Sequence, residues 1–275
     1  MKKIFSVFLT ALMGVLILGG CSHTDKSDVV LKSQDIENTD NSWDMVKEYG
    51  FLKIGVVEDS LPFIERTSNG EYTGFFVDLT ESLAKHLDVD TEYVLIADDS
   101  VANLLADNSI DVILNGYTQA DLGNKSIKWL DSYMTNHHII VSYNWSNINS
   151  KDDLTGKKIG VAENTISDAI AQSDIKIDNN SIIKYETEKA AINALNSGLT
   201  DALIIEDAYL YYHQRYNMSR YNILDEIVST HLHSLGVSAN DTQIAEQLNL
   251  ALTEIKNDGT LEKLHKKWFN ANLQK

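Results

Sequence analysis

The 275-residue sequence has few cysteines, prolines and arginines, and each shortage excludes a class of structure or site. Cys21 is the single cysteine, so the chain can build neither a disulfide framework nor a thiolate metal cluster. Pro62 is the single proline, and the arginines are Arg66, Arg215 and Arg220. Lysine and arginine together number 23 against 40 acidic residues, a formal net charge of −17. Such acidity argues against binding nucleic acid or an anionic membrane through the protein surface.

The short motifs of the common catalytic sites are also missing. The sequence contains no phosphate-binding Gly-rich loop, no HExxH segment, and no nucleophile–base pair at a recognisable spacing. Its composition, 43% hydrophobic and 23% charged, is that of an ordinary globular protein, and its length suits one large domain or two medium ones. We expect neither a cofactor nor catalysis.

The N-terminal residues predict export rather than a folded element. A basic start, Lys2-Lys3, precedes the apolar run Ile4 to Leu18, so residues 1–20 have the layout of a signal peptide. Leu-Gly-Gly-Cys, ending at Cys21, resembles a bacterial lipobox, which implies that Cys21 is diacylated and begins the mature protein. The alternative is an uncleaved anchor, although the run is short for a spanning helix. Residues 21–43 then predict a lipidated cysteine and a flexible tether.

The rest of the chain alternates between strand and helix patterns. Strands are predicted at Phe51–Val57, Glu92–Ile96 and Ile110–Leu114, with helices opened by Gly74 and spanning Val101–Ala106. This β-α-β-α-β order favours a parallel sheet. A second cycle and a return follow, with strands at Ile139–Tyr143, Lys158–Ala162, Ile182–Tyr185, Asp201–Ile205 and His233–Ser238, and helices at Thr165 onward, Glu186–Asn196, Ile244–Lys256 and Thr260–Phe269.

The segment Asp111–Tyr133 is the first place to look for a site. Its apolar strand ends at Asn115-Gly116, and small polar residues including Thr118 follow. Ligands in open α/β sheets sit beyond the carboxyl ends of strands. An ordinary exit from strand to loop is the alternative interpretation.

Several segments, in the same order, resemble the extracytoplasmic solute-binding proteins of the polar amino acid ABC-transporter type (bacterial solute-binding protein family 3). They are LKIGVVEDSLPF with GEYTGFFVDLTESLAKHL, NSIDVIL with WLDSY, DDLTGKKIGVAENT, LNSGLTDALIIED and LNLALTEIKNDGTLEKLHKKWF. The resemblance covers about residues 51–269.

The resemblance implies a two-lobed α/β periplasmic-binding-protein type II fold with two interlobe crossovers. Residues 44–137 plus 233–275 would form lobe 1, and residues 138–232 lobe 2. The lobes would close on a small polar solute, amino acid-like or amine-bearing, and deliver it to an ABC permease. We expect a monomer that binds no nucleic acid, lipid-anchored through Cys21 on the outer face of the cytoplasmic membrane.

The resemblance also assigns the solute-contacting residues. They are Asp59, Phe63, Asn115, Gly116, Thr118, Asn164, Thr165 and Glu206. Phe63 could cover an apolar or cationic face, the amides at Asn164-Thr165 could bind an anionic or carbonyl oxygen, and Glu206 could pair with an ammonium. Each has a plainer alternative: Phe63 in the core, Thr165 as a helix cap, Glu206 as a solvated acid.

One family feature is missing. Members bind the α-carboxylate of an amino acid with an arginine in a Thr-Pro-Glu-Arg-like motif after the third strand, but no arginine lies between Arg66 and Arg215. Lys125 is the nearest cation there, and it offers a point charge instead of a planar fork. A cationic or amine-bearing solute would fit the acids better, namely Glu58, Asp59, Asp98, Glu163 and Glu206.

Four of the eight histidines flank the two predicted lobe crossings: His137, His138, His231 and His233. Because the crossing strands should lie side by side, these imidazoles are expected to be neighbours. Exposed or singly hydrogen-bonded histidines are one interpretation; a metal site or a pH-sensitive hinge is the other.

Two other function classes stay open. A few proteins of this fold are dehydratases acting on small cyclic acids, although their carboxylate substrates again call for the missing arginine. A lipoprotein that reuses the fold as a sensor or adhesion factor is the second alternative.

Overall fold

The computed structural model describes residues 40–56, 61–96, 101–114, 125–173 and 182–270. Within these ranges the helices are α1 (Ser42–Tyr49), α2 (Phe75–Leu87), α3 (Val101–Ala106), α4 (Ile166–Ser173), α5 (Glu188–Asn196), α6 (Asp207–Gln214), α7 (Thr242–Asn257) and α8 (Thr260–Phe269). The same ranges contain two short 3₁₀ turns, Lys151–Leu154 and Met218–Arg220. None of these helices is long and apolar enough to cross a membrane.

The strands of the same ranges are β1 (Phe51–Val56), β2 (Glu65–Arg66), β3 (Tyr72–Thr73), β4 (Asp90–Leu95), β5 (Val112–Ile113), β6 (Ile127–Tyr143), β7 (Ile159–Ala162), β8 (Ile182–Tyr185), β9 (Ala202–Glu206), β10 (Tyr221–Ile223) and β11 (Ser229–Ser238). Nine of them form one mixed sheet in the order β4-β1-β5-β11-β6-β9-β7-β8, with β10 beside β6. β2 and β3 form a separate hairpin.

The predicted parallel pairing is confirmed at both ends of the sheet. β1 runs parallel to β4 and β5, and β7 runs parallel to β8 and β9. Antiparallel pairs join these two sets through β11 and β6. The carboxyl ends of the parallel strands therefore belong to two groups that the β6–β11 pair connects.

β6 and β11 are longer than the sequence pattern predicted. β6 extends over 17 residues, whereas only Ile139–Tyr143 was predicted, and β11 begins at Ser229 instead of His233. The first part of β6 pairs with β11, and its last part pairs with β9 and β10. The β6–β11 register shifts between His233 and Ser234 and again between Ser234 and Gly236, which marks a β-bulge.

Aromatic side chains of α2 and α8 form a cluster against β6. Phe75 and Phe76 at the start of α2 are buried. Their rings contact Tyr133 of β6 at centroid distances of 6.1 and 6.2 Å, and Phe75 also contacts Phe269 of α8 at 5.1 Å. The start of α2 thus packs directly against β6.

The described residues begin at Asp40, and α1 begins at Ser42, within the segment 21–43 that was predicted to be a tether. One carboxylate oxygen of Asp40 accepts hydrogen bonds from Thr242 Oγ1 and the Gln243 backbone N–H, both at 2.7 Å. Partial burial opposes ionisation, but hydrogen bonds from Ser42, Thr242 and Gln243 outweigh it and hold the pKa of Asp40 well below its usual range. The carboxylate therefore fixes α1 to the N-terminus of α7.

The contact between Gly74 and Phe63 offers a test of how the segment after β1 is held. Gly74 has a φ of 141°, and a Cβ there would overlap the carbonyl oxygen of Phe63. Gly74→Ala should lower the free energy of unfolding by about 3 kcal/mol or more, measured by urea denaturation. Gly156 also has positive φ, at 73°, but open space around it, so Gly156→Ala should cost only about 1 kcal/mol. Equal losses in the two variants would contradict this account.

Candidate functional site

Glu206 lies where the two parts of the sheet meet. It is the last residue of β9, and its backbone pairs with His138 of β6. His138 also pairs with Ser229 at the start of β11, so β6 changes partners at this residue. The end of β9 is thereby placed beside both crossing strands, in agreement with a site at the carboxyl end of a strand.

The Glu206 carboxylate is bound by residues of the crossing strands. Asn136 Nδ2 donates a hydrogen bond to it, and His233 Nε2 lies 3.5 Å from the same oxygen, Oε1. Burial alone would raise the pKa of Glu206, but the hydrogen bond and positive charge of His233, with His138 and Asn136, lower it. The Glu206 side chain remains 19% exposed, whereas the His233 side chain is 3% exposed. Glu206 is therefore a partly accessible carboxylate whose charge is stabilised from the interior, not the solvated loop acid of the plainer alternative.

Asp207, the first residue of α6, is a second acid with a different protonation state. Its carboxylate accepts a hydrogen bond from the His137 backbone N–H at 3.2 Å. Burial raises the pKa of Asp207 to about 7, the negative charge of Glu206 adds to the effect, and the His137 bond opposes it. Two adjacent acids thus differ in charge near neutral pH because only Glu206 has a cationic partner.

The four histidines are neighbours, as predicted, but they have separate partners. The rings of His138 and His231 lie 4.9 Å apart. His137 Nδ1 lies 3.0 Å from Thr230 Oγ1, and His231 Nε2 lies 2.6 Å from Ser229 Oγ. Among the described residues, no group of three or more His, Cys, Asp or Glu side chains is arranged to hold a metal ion. The metal interpretation of these histidines therefore has no support in this part of the chain.

Phe63 is a core residue in this conformation. It is 3% exposed, and its ring stacks on Phe76 at 5.1 Å and on the His233 imidazole at 5.8 Å. Tyr209 of α6 contacts the same ring edge-on at 5.4 Å. Instead of presenting a face to an open cleft, Phe63 supports His233 from behind and links the segment after β1 to α6. This is the core alternative that the sequence left open.

Asn164 and Thr165 form the N-terminus of α4, and local groups already use much of their hydrogen-bonding capacity. Thr165 Oγ1 donates to the Ala162 carbonyl at 2.7 Å and accepts from the Asp168 N–H at 3.3 Å, the predicted cap. The Asn164 N–H donates to the Asp168 carboxylate at 3.3 Å, and Lys184 Nζ binds the same oxygen at 2.8 Å. A carboxylate of the chain itself therefore occupies the position expected for an anionic ligand group at Asn164.

The remaining predicted site residues lie outside the described ranges: Asp59, Asn115, Gly116 and Thr118, together with the lipidation residue Cys21. Lys125 is described and exposed. The three arginines have other roles. Arg66 donates to the Gly70 carbonyl within the β2–β3 turn, and Arg215 donates to the Lys267 carbonyl at the end of α8. Arg220 lies in the 3₁₀ turn before β10.

A cavity of about 280 Å³ lies between the segment after β1, the N-terminal end of α5 and one side of α6. Two acids, one lysine and one histidine contribute to its polar wall. It is lined by Leu61, Glu65, Thr187, Glu188, Lys189, Tyr209, Tyr212 and His213.

Sequence patterns missed three residues of the site. Asn136, Asp207 and Tyr209 are all buried. Asn136 carries no motif, and only the pairing of β6 with β9 and β11 brings it to Glu206. The neighbouring dipeptide Glu206-Asp207 after an apolar strand was the one available signal for Asp207.

Comparison with known proteins decides the family. The model of the bacterial extracellular solute-binding proteins, family 3, matches residues 52–271. The chain belongs to this family. This solute-binding protein has the type II periplasmic-binding fold predicted from the sequence, and it is the extracytoplasmic binding component of an ABC importer.

Individual relatives agree with the family assignment. The ABC transporter glutamine-binding protein GlnH of Bacillus subtilis is 26% identical, with 98% of each chain covered. The arginine-binding extracellular protein ArtP of Bacillus subtilis is 29% identical, with 79% of this chain and 86% of the relative covered. The solved structure of the ancestral cationic amino acid solute-binding protein AncCDT-1 has a TM-score of 0.73 and 29% identity, covering 83% of this chain and 99% of that one.

Two buried groups of the solute-binding protein should give opposite pH dependences of stability. The pKa of Asp207 rises from 3.8 to about 7 on folding, so its contribution to stability is lost as pH rises between those values. Burial lowers the pKa of His138 from 6.5 to about 4, so its contribution is lost as pH falls through that window. The two effects oppose each other between about pH 4 and 6.5.

Single substitutions should separate them. Asp207→Asn should raise the free energy of unfolding at pH 8 by about 1 to 4 kcal/mol and steepen the loss of stability at acidic pH. His138→Leu should weaken that acidic loss. Urea denaturation at half-unit pH intervals measures both. If the free energy of unfolding of a variant changed with pH in parallel to that of the unsubstituted protein, the substituted residue would not be the source of the pH dependence.

Proposed function

We propose that this binding component captures a cationic or amine-bearing solute and that Glu206 pairs with the solute's ammonium group. The observation that carries the proposal is the Glu206 carboxylate: it is ionised, partly exposed, and held at the end of β9 by Asn136 and His233. Charge-assisted hydrogen bonds to such a carboxylate are stronger than neutral ones.

The placement of the arginines favours a solute whose binding does not require an arginine to pair with a solute carboxylate. Arg66 and Arg215 donate to backbone carbonyls, and Arg220 lies in the 3₁₀ turn before β10. At the N-terminus of α4, the Asp168 carboxylate already accepts from Asn164 and Lys184. A relative named as arginine-binding and an ancestral protein named as cationic amino acid-binding have the same chemical preference.

We propose two lobes, formed by residues 44–137 plus 233–275 and by residues 138–232. The change of β6 partners at His138 supports the boundary, because β11 pairs before it and β9 after it. The proposed solute-contacting residues of lobe 2 are Asn164, Thr165 and Glu206, and those of lobe 1 include Asp59, Asn115, Gly116 and Thr118, which lie outside the described ranges. The protein would act as a monomer, and binding would involve no chemical step on the solute.

The proposed ligand class can be tested by calorimetry on the full-length protein with L-arginine, putrescine and L-glutamine. L-Arginine or putrescine should bind more tightly than L-glutamine. Glu206→Gln should weaken that binding about 100-fold, since it removes the charge that pairs with the ammonium. Glu246→Gln, which changes an exposed acid on α7, is the matched control and should leave binding unchanged. Tight L-glutamine binding that survives Lys125→Ala would end the proposal of a cationic solute.

We also propose that Cys21 carries the lipid that anchors the protein to the outer face of the cytoplasmic membrane. The Leu-Gly-Gly-Cys sequence after an apolar run supports this. Cys21→Ser should abolish labelling by radioactive palmitate and move the protein from the membrane fraction to the soluble fraction. Continued palmitate labelling of the Cys21→Ser protein would contradict the assignment.

A further inference from the structure

Glu206 has a partner within the chain itself. His233 Nε2 lies 3.5 Å from its carboxylate, and Asn136 Nδ2 lies 3.1 Å from the same imidazole nitrogen while donating to Glu206. One carboxylate, one amide and one imidazole therefore share a single contact at the junction of β6, β9 and β11.

This contact can exist in two protonation states. When Nε2 of His233 carries a proton, the imidazolium donates to Glu206 and neutralises it. When Nε2 is bare, it accepts one hydrogen of the Asn136 amide, whose other hydrogen stays on Glu206. In the second state the carboxylate keeps its net charge for an external cation.

The surroundings hold the imidazole in place in both states. Its ring stacks on Phe63 and lies 6.3 Å from the Tyr133 ring. His233 Nδ1 has no hydrogen-bond partner among the described residues, so Nε2 makes its polar contacts there. The other titratable groups that face this cluster are Asp207 of α6, His137 and His138 of β6, and His231 of β11.

We propose that His233 competes with the solute for the Glu206 carboxylate. Before the solute binds, the protonated His233 ring donates to Glu206, and a cationic solute binds by displacing that proton. In the exchange the Nε2–H bond breaks, the proton leaves to water, and the solute ammonium takes over the hydrogen bond to Glu206. This inference rests on the proposed pairing of Glu206 with the solute. It makes solute affinity rise with pH, and it makes His233 a residue that sets specificity without touching the solute.

The solute-binding arm of the test uses L-arginine and calorimetry on the full-length protein at pH 6 and pH 8. The unsubstituted protein should bind about tenfold more weakly at pH 6. His233→Gln should bind equally at the two pH values, while the control His137→Gln should keep the tenfold difference. His233→Gln with an unchanged pH difference would overturn the competitor role. If Glu206→Gln bound L-arginine as tightly as the unsubstituted protein, Glu206 would not pair with the solute, and the proposed function would be overturned instead.

A second arm reads the pair without any solute. In protein labelled with ¹³C and ¹⁵N at histidine, the His233 ring nitrogen resonances should differ between Glu206→Gln and the unsubstituted protein at the same pH, because the carboxylate that contacts Nε2 is gone. The His86 ring, remote on α2, should give the same resonances in both proteins. Unchanged His233 resonances would show that the two groups are not coupled and would overturn the inference, even if L-arginine does not bind. This arm also decides the question if His233→Gln fails to fold.

Discussion

The antiparallel pairing of β6 with β11 is the constraint on which the rest of the structure depends. It joins two parallel sets of strands that would otherwise have no backbone hydrogen bonds in common. Because β6 changes partners at His138, the end of β9 is brought against residues far away in the sequence, and Glu206 meets Asn136 and His233 only here. The pairing therefore supplies both the mechanical connection and the polar environment of the site.

The same junction explains why ionisable groups are tolerated in the interior. A buried carboxylate is costly unless it has partners, and Glu206 has an amide and an imidazole. Asp207, one residue later, has no comparable cation, and burial raises its pKa to about 7. The difference between the two acids follows from their partners rather than from their depth.

Local sequence signals predicted much of the fold but little of the site. β8, α3 and α8 have the predicted bounds because apolar periodicity, turn residues and caps are short-range signals. α6 was missed, since its apolar residues form no clear stripe, and β6 was shortened because polar residues alternate through its first half. Phe63 was expected at a ligand, but the packing of Phe76, Tyr209 and His233 around it depends on tertiary contacts that no spacing encodes. The missing arginine could be recognised from the sequence alone, because the absence of a residue type does not depend on tertiary contacts.

The bulge in β11 has a consequence for motion. Its two register shifts bracket Ser234, immediately after His233, so the ladder between the crossing strands is weakest where the imidazole is attached. A rotation of one part of the sheet against the other would concentrate torsion at this break, since the regular segments on both sides resist twisting. The imidazole that contacts Glu206 and the break in the ladder thus lie on adjacent residues, so a rotation at this break would change the direction of the imidazole.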